Sequence, residues 1–237
     1  MLLTLLGCAP LIVPWPPPAD LPSGISELDH GQGELGAGWS EMTSFGAGVG
    51  LLPNWFGGSL HGDGRLGLGK GWDLGLDVSQ QLLGPTAGVT AGKWYTLGPR
   101  FSAGPMFGVG SSFSQGAVSE RLDTDEHGET VTYPAYEYSY LTAAPSVGGR
   151  MTWKPVPHVS VPALVRVAGS AVIPTLNVAW GHEALWLETA AGVRLDYGRV
   201  SFGIGPAFHF SLQDGGEWFY TDVTASAHVR FGKMERP

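Results

Sequence analysis

Residues 199–213, RVSFGIGPAFHFSLQ, alternate without a break. Val200, Phe202, Ile204, Pro206, Phe208, Phe210 and Leu212 fall on one side of an extended chain. Ser201, Gly203, Gly205, Ala207, His209 and Ser211 fall on the other, because successive strand side chains face opposite sides. In a soluble sheet the apolar side is core, and the opposite side carries charges and threonine. Here the opposite side is mostly glycine, alanine and serine, so the fold turns on which side meets water. An apolar side that faces lipid is the reading that fits the rest of the chain.

Only 14% of the 237 residues are charged, against about 25% in soluble domains. Aromatics at 11% give the chain much to bury, which excludes disorder. A net charge of −8 with no basic patch excludes nucleic acid as a partner. No apolar run is long enough for a transmembrane helix, which needs about 20 residues. One cysteine excludes an internal disulfide and a Cys-based zinc site.

That cysteine lies in MLLTLLGCAP, where Leu5-Leu6-Gly7-Cys8 resembles the lipobox of bacterial lipoproteins. The resemblance implies that Cys8 is the lipidated first residue of the mature chain. The apolar run is short and lacks a preceding cation, so the true start is expected upstream. The prolines of APLIVPWPPPADLPSG forbid helix and favour an extended tether. The expected divisions are a signal remnant over 1–8, a Pro-rich tether over 9–33, a β-domain over 34–231 and a short tail over 232–237.

Nine further segments alternate. In FYTDVTASAHVRF, Phe219 through Phe231 face one way while Asp222, Thr224, Ser226, His228 and Arg230 face the other. In ALWLETAAGVRLDY, Leu185, Leu187, Val193 and Leu195 are expected outward, and Trp186, Glu188, Arg194 and Asp196 inward. Upstream, YLTAAPSVGGRMTW, VSVPALVRVA, RFSAGPMFGVG, AGVTAGKWY, WDLGLDVS and RLGLGKG behave similarly, and the first strand is placed within GAGWSEMTSFGAGVGLL. Links at 69–72, 96–99, 154–158 and 197–199 are short, whereas those at 53–63, 81–86, 114–133, 169–183 and 213–217 are longer. Strict alternation of short and long links is the pattern of a transmembrane barrel with tight periplasmic turns and larger extracellular loops. Strands of 10 to 14 residues also suit a tilted crossing of the bilayer, which needs about 9–11. Trp72, Trp94, Tyr95, Trp153 and Tyr197 at one end, and Trp55, Tyr138, Tyr140, Trp180 and Trp218 at the other, are expected in interfacial belts.

On these segments the sequence resembles the small outer-membrane β-barrels of Gram-negative bacteria. Such proteins end in a polar-x-Gly-x-x-apolar-x-aromatic assembly signal. Thr224-Ala225-Ser226-Ala227-His228-Val229-Arg230-Phe231 fits it with Ser226 in place of Gly, Val229 and Phe231 holding the apolar and aromatic positions. The departure is GKMERP after Phe231. The expected fold is all-β: a closed antiparallel up-and-down transmembrane barrel of about ten strands, with eight or twelve as alternatives. The resemblance implies a bacterial outer-membrane location with the N-terminus periplasmic.

If the apolar face meets lipid, Arg65, Asp73, Asp77, Arg100, Arg150, Arg166, Glu188, Arg194, Asp196, Asp222, His228 and Arg230 look inward. A barrel of about ten strands is only a little wider than those that side chains fill. These charges are therefore read as a paired plug, since an unpaired buried charge is strongly unfavourable. A narrow channel, leaning to anions through its arginines, is the alternative use.

His209 and Ser211 share a face, with Glu217 in the following turn, which is a weak Ser/His/acid pattern. His-x-Ser is similar to the pair in outer-membrane lipid A deacylases, which would make this a membrane-embedded hydrolase. The pair here faces the interior and its acid spacing differs. Outer-membrane aspartyl proteases also have ten strands and use Asp-Asp and Asp-His couples, but Asp73 and Asp77 stand four apart, too far along one strand to be such a couple. Asp123, Asp125 and Glu129 in SERLDTDEHGETVTYP are weak metal candidates, because His127 occupies a ligand position. Gly67, Gly69 and Gly71 lack a following helix, so they are read as relief for close backbone approach.

The expected function is that of a non-enzymatic envelope or surface-interaction protein without a cofactor. Its expected partners are outer-membrane lipid and an envelope protein bound through the loops. A soluble secreted barrel binder is the alternative from another class.

Overall fold

The computed structural model describes residues 27–47, 50–51, 58–81, 84–118, 121–124, 130–133, 135–176, 183–212 and 218–232. Ten strands follow in order. They are β1 (Gly33–Ala47), β2 (Gly58–Gly69), β3 (Trp72–Gln81) and β4 (Gly84–Lys93, continuing as Tyr95–Gly98). Next come β5 (Phe101–Val118), β6 (Tyr136–Val156), β7 (Val159–Leu176) and β8 (Glu183–Ala191, continuing as Val193–Tyr197). β9 (Val200–Ser211) and β10 (Trp218–Phe231) complete the set. Each pairs antiparallel with its sequence neighbours, and β1 pairs with β10 from Gly33↔Phe231 to Ala47↔Trp218. The sheet therefore closes on itself and leaves no unpaired edge.

In β9 the small-residue side is the buried one. Its burial alternates along the whole strand, with Phe202, Ile204, Phe208 and Phe210 exposed and Ser201, Gly203, Gly205, Ala207, His209 and Ser211 buried. The same inversion holds for Leu185, Leu195, Val223 and Val229, which are exposed, and for Glu188, Arg194 and His228, which are buried. Large apolar side chains ring the outside, and charged side chains such as Glu34, Asp73, Glu188 and Arg194 fill the interior.

Turns of two residues join strands at 70–71, 99–100, 157–158 and 198–199. Lys70 and Gly71 both sit at positive φ, as a type I′ hairpin needs. At the opposite end the links differ from expectation. β2 begins at Gly58, so His61 and Asp63 belong to a strand and not to a 53–63 loop. The run GSLHGDG hid this, because its outward partners are Leu60, Gly62 and Gly64 and two of the three are glycine. β7 extends to Leu176, past the expected end at 169. β3 and β4 are separated only by residues 82–83, one exception to the alternation of link lengths. Between β5 and β6 a hairpin of Arg121–Thr124 and Thr130–Tyr133 stands apart from the barrel sheet.

Cys8 and most of the expected tether lie outside the described residues. From Glu27 to Gly33, however, the chain packs on the turn end of the barrel, where Leu28 and Gln32 are buried. The Gly31 N–H donates to the Gly67 carbonyl at 2.9 Å. A Cβ at Gly67 would collide with the Asp29 carbonyl, one at Gly69 would crowd the His30 ring and one at Gly71 would meet the Trp94 carbonyl. This is why Gly67, Gly69 and Gly71 follow one another.

Of the aromatic residues expected in the belt at the turn end, Trp72, Tyr95, Trp153 and Tyr197 are exposed. Trp94 and Tyr140 depart from it. Both are buried and face inward. The Trp94 indole N–H donates to Asp73 at 2.9 Å, a bond available only inside. Trp55 and Trp180 lie outside the described residues, as do Glu217, Asp125 and Glu129.

Candidate functional site: the interior charge networks

The inward positions assemble into four ionic groups above and around a small apolar cluster. Near the turn end, Glu34 on β1 is fully buried and takes two hydrogen bonds from Arg194 at 3.0 and 2.8 Å and one from Arg230 Nη2 at 3.0 Å. Arg194 also donates to Asp196 at 2.7 Å. Register explains the meeting, since Glu34 lies directly opposite Arg230 on β10 and Arg65 on β2. Arg65 turns the other way, to Asp73.

Asp73 is the second centre. It accepts from Arg65, from Arg150 at 2.5 Å and from the Trp94 indole, while the Arg150 guanidinium lies 4.4 Å from the Trp94 ring centroid. A carboxylate shared by two arginines and an indole, and only 2% exposed, is a structural anchor. It sits far from any position in which it could pair with Asp77.

The third group runs across four strands. Arg166 lies opposite Glu188, and Glu188 lies opposite His209. Arg166 Nε donates to Glu188, and His209 Nδ1 is 3.0 Å from the same carboxylate. His209 Nε2 is 3.7 Å from Asp222. Both ring nitrogens thus face carboxylates, the arrangement of a bridge between acids. Ser211, buried two residues further along β9, lies opposite Trp186.

In the fourth group His228 Nε2 meets Asp63 at 2.8 Å across β1, where both lie opposite Gly36. A Cβ on Gly36 would sit on the His228 ring and the Asp63 carboxylate. Gly88 and Gly92 give the same kind of room to Asp77 and Arg150. The small residues of the inward face are therefore the space that neighbouring charged side chains fill.

Two interior features have no counterpart in the sequence reading. Trp94, Met106, Leu164, Ala190 and Ala207 form a buried apolar cluster inside the barrel. Higher up, His61 Nε2 lies 2.6 Å from both the Ser40 and the Ser59 hydroxyls, which are 2.7 Å from each other. Ser79 with Thr86, and Ser112 with Thr142, make further hydroxyl pairs at 2.7 and 2.6 Å. Glu34 and Asp63 were also missed. Glu34 follows a glycine at the edge of the proline-rich segment, and Asp63 is embedded in glycines, so neither showed a strand period.

Arg100 departs from the expected inward position. It occupies the turn at 99–100 and is exposed, because the strand ends before the chain reaches the interior. Without it, five interior arginines (65, 150, 166, 194 and 230) face seven carboxylates (34, 63, 73, 77, 188, 196 and 222) among the described residues. The excess of Arg that favoured anions is therefore gone. Asp123 lies in the outer hairpin opposite Val131. Among the described residues no group of three His, Cys, Asp or Glu side chains could hold a metal.

No family model matches the chain, and no curated protein matches it in sequence. Solved structures do match in shape. The outer membrane protease OmpT of Escherichia coli superposes with a TM-score of 0.56 at 9% identity, covering 87% of this chain and 98% of that one. The translocator domain of autotransporter NalP from Neisseria meningitidis gives a TM-score of 0.48 at 9% identity, covering 88% of this chain and 91% of that one. Neisserial surface protein A gives 0.40 at 8% identity, covering 85% and 100%. The fold of this chain is thus a closed, ten-stranded antiparallel barrel of the outer-membrane type.

Proposed function

We propose that this protein is a sealed outer-membrane barrel, lipid-anchored at Cys8, that neither conducts nor catalyses and acts as an envelope or surface-interaction protein through its loops. The observation that carries this reading is the filled interior. Glu34, Asp73 and Glu188 are each held by arginines inside the wall, and Trp94, Met106 and Leu164 belong to a buried apolar cluster there. A continuous water path would leave those groups wet, and they are buried. With the interior committed to structure, recognition falls to the connecting segments. Planar-bilayer recording of the purified full chain tests this: no discrete conductance steps are expected, and reproducible steps would overturn it. Metabolic palmitate labelling that persists in Cys8→Ser would separately remove the anchor.

A second reading, a membrane-embedded acyl hydrolase, draws on the Ser40, Ser59 and His61 triangle, in which one imidazole nitrogen lies within hydrogen-bond reach of two hydroxyls. A fluorophosphonate probe decides between them. Labelling lost in both Ser40→Ala and Ser59→Ala would favour the hydrolase, and absence of labelling leaves the sealed barrel.

A further inference from the structure

The two ends of the barrel carry opposite charge. At the turn end, Lys70, Arg100, Lys154 and Arg199 are exposed in or beside the tight turns, and Lys93 stands just above them on β4. They are spread around the circumference, from the β2–β3 turn to the β8–β9 turn. Arg100 and Lys154 are brought side by side where the Lys154 N–H donates to the Arg100 carbonyl at 2.8 Å. Lys93 Nζ lies 5.6 Å from the Trp72 ring centroid and 5.0 Å from that of Tyr95, framed by the exposed aromatic belt.

These cations differ from the interior arginines in one respect. Among the described residues none of the five is ion-paired. The described acids at that end are engaged elsewhere: Glu27 with Ser102 and Thr96, Asp29 with Gln32, Asp196 with Arg194. By sequence, the links at the other end are acidic, with Glu120, Asp123, Asp125, Glu126, Glu129, Asp214 and Glu217 against the single cation Arg121. An anionic surface therefore suits only one end.

We infer that the turn end is a cationic collar that binds the headgroups of anionic phospholipid, in the leaflet that the Trp72, Tyr95, Trp153 and Tyr197 belt marks. Each Lys or Arg beside an anionic leaflet adds attraction that dies away within a Debye length. The collar also sets orientation, since insertion with the acidic loops against the same leaflet is repelled. The inference rests on the membrane reading above.

The test is refolding of the full chain from urea into vesicles of phosphatidylcholine, with and without about a quarter of phosphatidylglycerol, followed by heat-modifiable gel migration. At low salt, folding into the anionic vesicles is expected to be about tenfold faster. That advantage should fall to about twofold in roughly 0.5 M NaCl, and likewise in a variant combining Lys70→Gln, Lys93→Gln, Arg100→Gln, Lys154→Gln and Arg199→Gln. Equal rates for the unaltered chain in both vesicles would overturn the collar, as would an advantage that salt leaves untouched. If the variant fails to fold, the salt series on the unaltered chain decides alone. Failure of the unaltered chain to enter either vesicle would sink the membrane reading instead, and the collar with it.

Discussion

Phe202 and Gly203 are consecutive in β9, yet they are held in different ways. Phe202 is half exposed and lies opposite Leu195 and Ala227, all on the outer face. Gly203 is buried directly opposite Arg194 on one side and Ser226 on the other. The outer face asks only for apolarity, so one aliphatic residue there can stand for another. The inner face works by pairs, in which a guanidinium or imidazole needs both a carboxylate and an empty neighbour. Substitutions should therefore be graded by partner on the inside and, on the proposed membrane reading, by depth on the outside.

The largest effect is expected where one carboxylate serves two arginines. Glu34→Ala takes from Arg194 and Arg230 the group they share, and removing one partner of a buried pair costs about 3–5 kcal/mol. The urea midpoint of the barrel refolded in bilayers measures it. A loss well under about 1 kcal/mol would mean that the interior is hydrated, and the sealed reading would fail with it.

Next comes a break on the outside. Ile204→Arg, at the middle of β9 and exposed, places a charge against hydrocarbon at a cost of about 2–4 kcal/mol near the midplane. On a water-facing strand the same change would be nearly silent. An unchanged midpoint in bilayers would therefore turn the barrel inside out and restore the soluble binder.

Gly36→Ala sharpens the point from the empty side. The added methyl lands on His228 and Asp63, and overpacking of this kind costs about 1–3 kcal/mol. Combined with His228→Ala, which removes the ring but leaves the Asp63 carboxylate, the penalty for the methyl should shrink in part, and a double-mutant cycle reads the coupling. Additive effects would show that the two positions do not meet.

These gradations explain what the sequence disclosed. The strand period of β8, β9 and β10 was legible because large apolar residues mark every second position. So were the tight turns, since Lys70-Gly71 and Gly198-Arg199 punctuate strong alternation. Glu188, Arg194 and His228 could be placed inside on that period alone. Their partners could not, because pairing across a barrel joins residues such as Glu34 and Arg194, 160 positions apart. β2 was half missed for a related reason: glycine supplies the room its neighbours need, and glycine leaves no periodic trace. Trp94 and Tyr140 read as belt residues because an aromatic near a strand end looks the same whichever side it faces.

The smallest effect isolates burial from residue type. Arg100 and Arg150 are both arginines near the turn end, yet Arg100 is exposed in its turn while Arg150 is buried on Asp73. Arg100→Gln is expected to move the unfolding midpoint in detergent by less than about 0.5 kcal/mol, since it touches no buried partner. Arg150→Gln should cost severalfold more, because Asp73 loses one of its two guanidinium partners. In anionic bilayers Arg100→Gln should gain a small effect that detergent does not show, one cation's share of the collar's attraction. A change at Arg100 as large in detergent as that at Arg150 would place its side chain inside the wall and break the distinction between turn and interior.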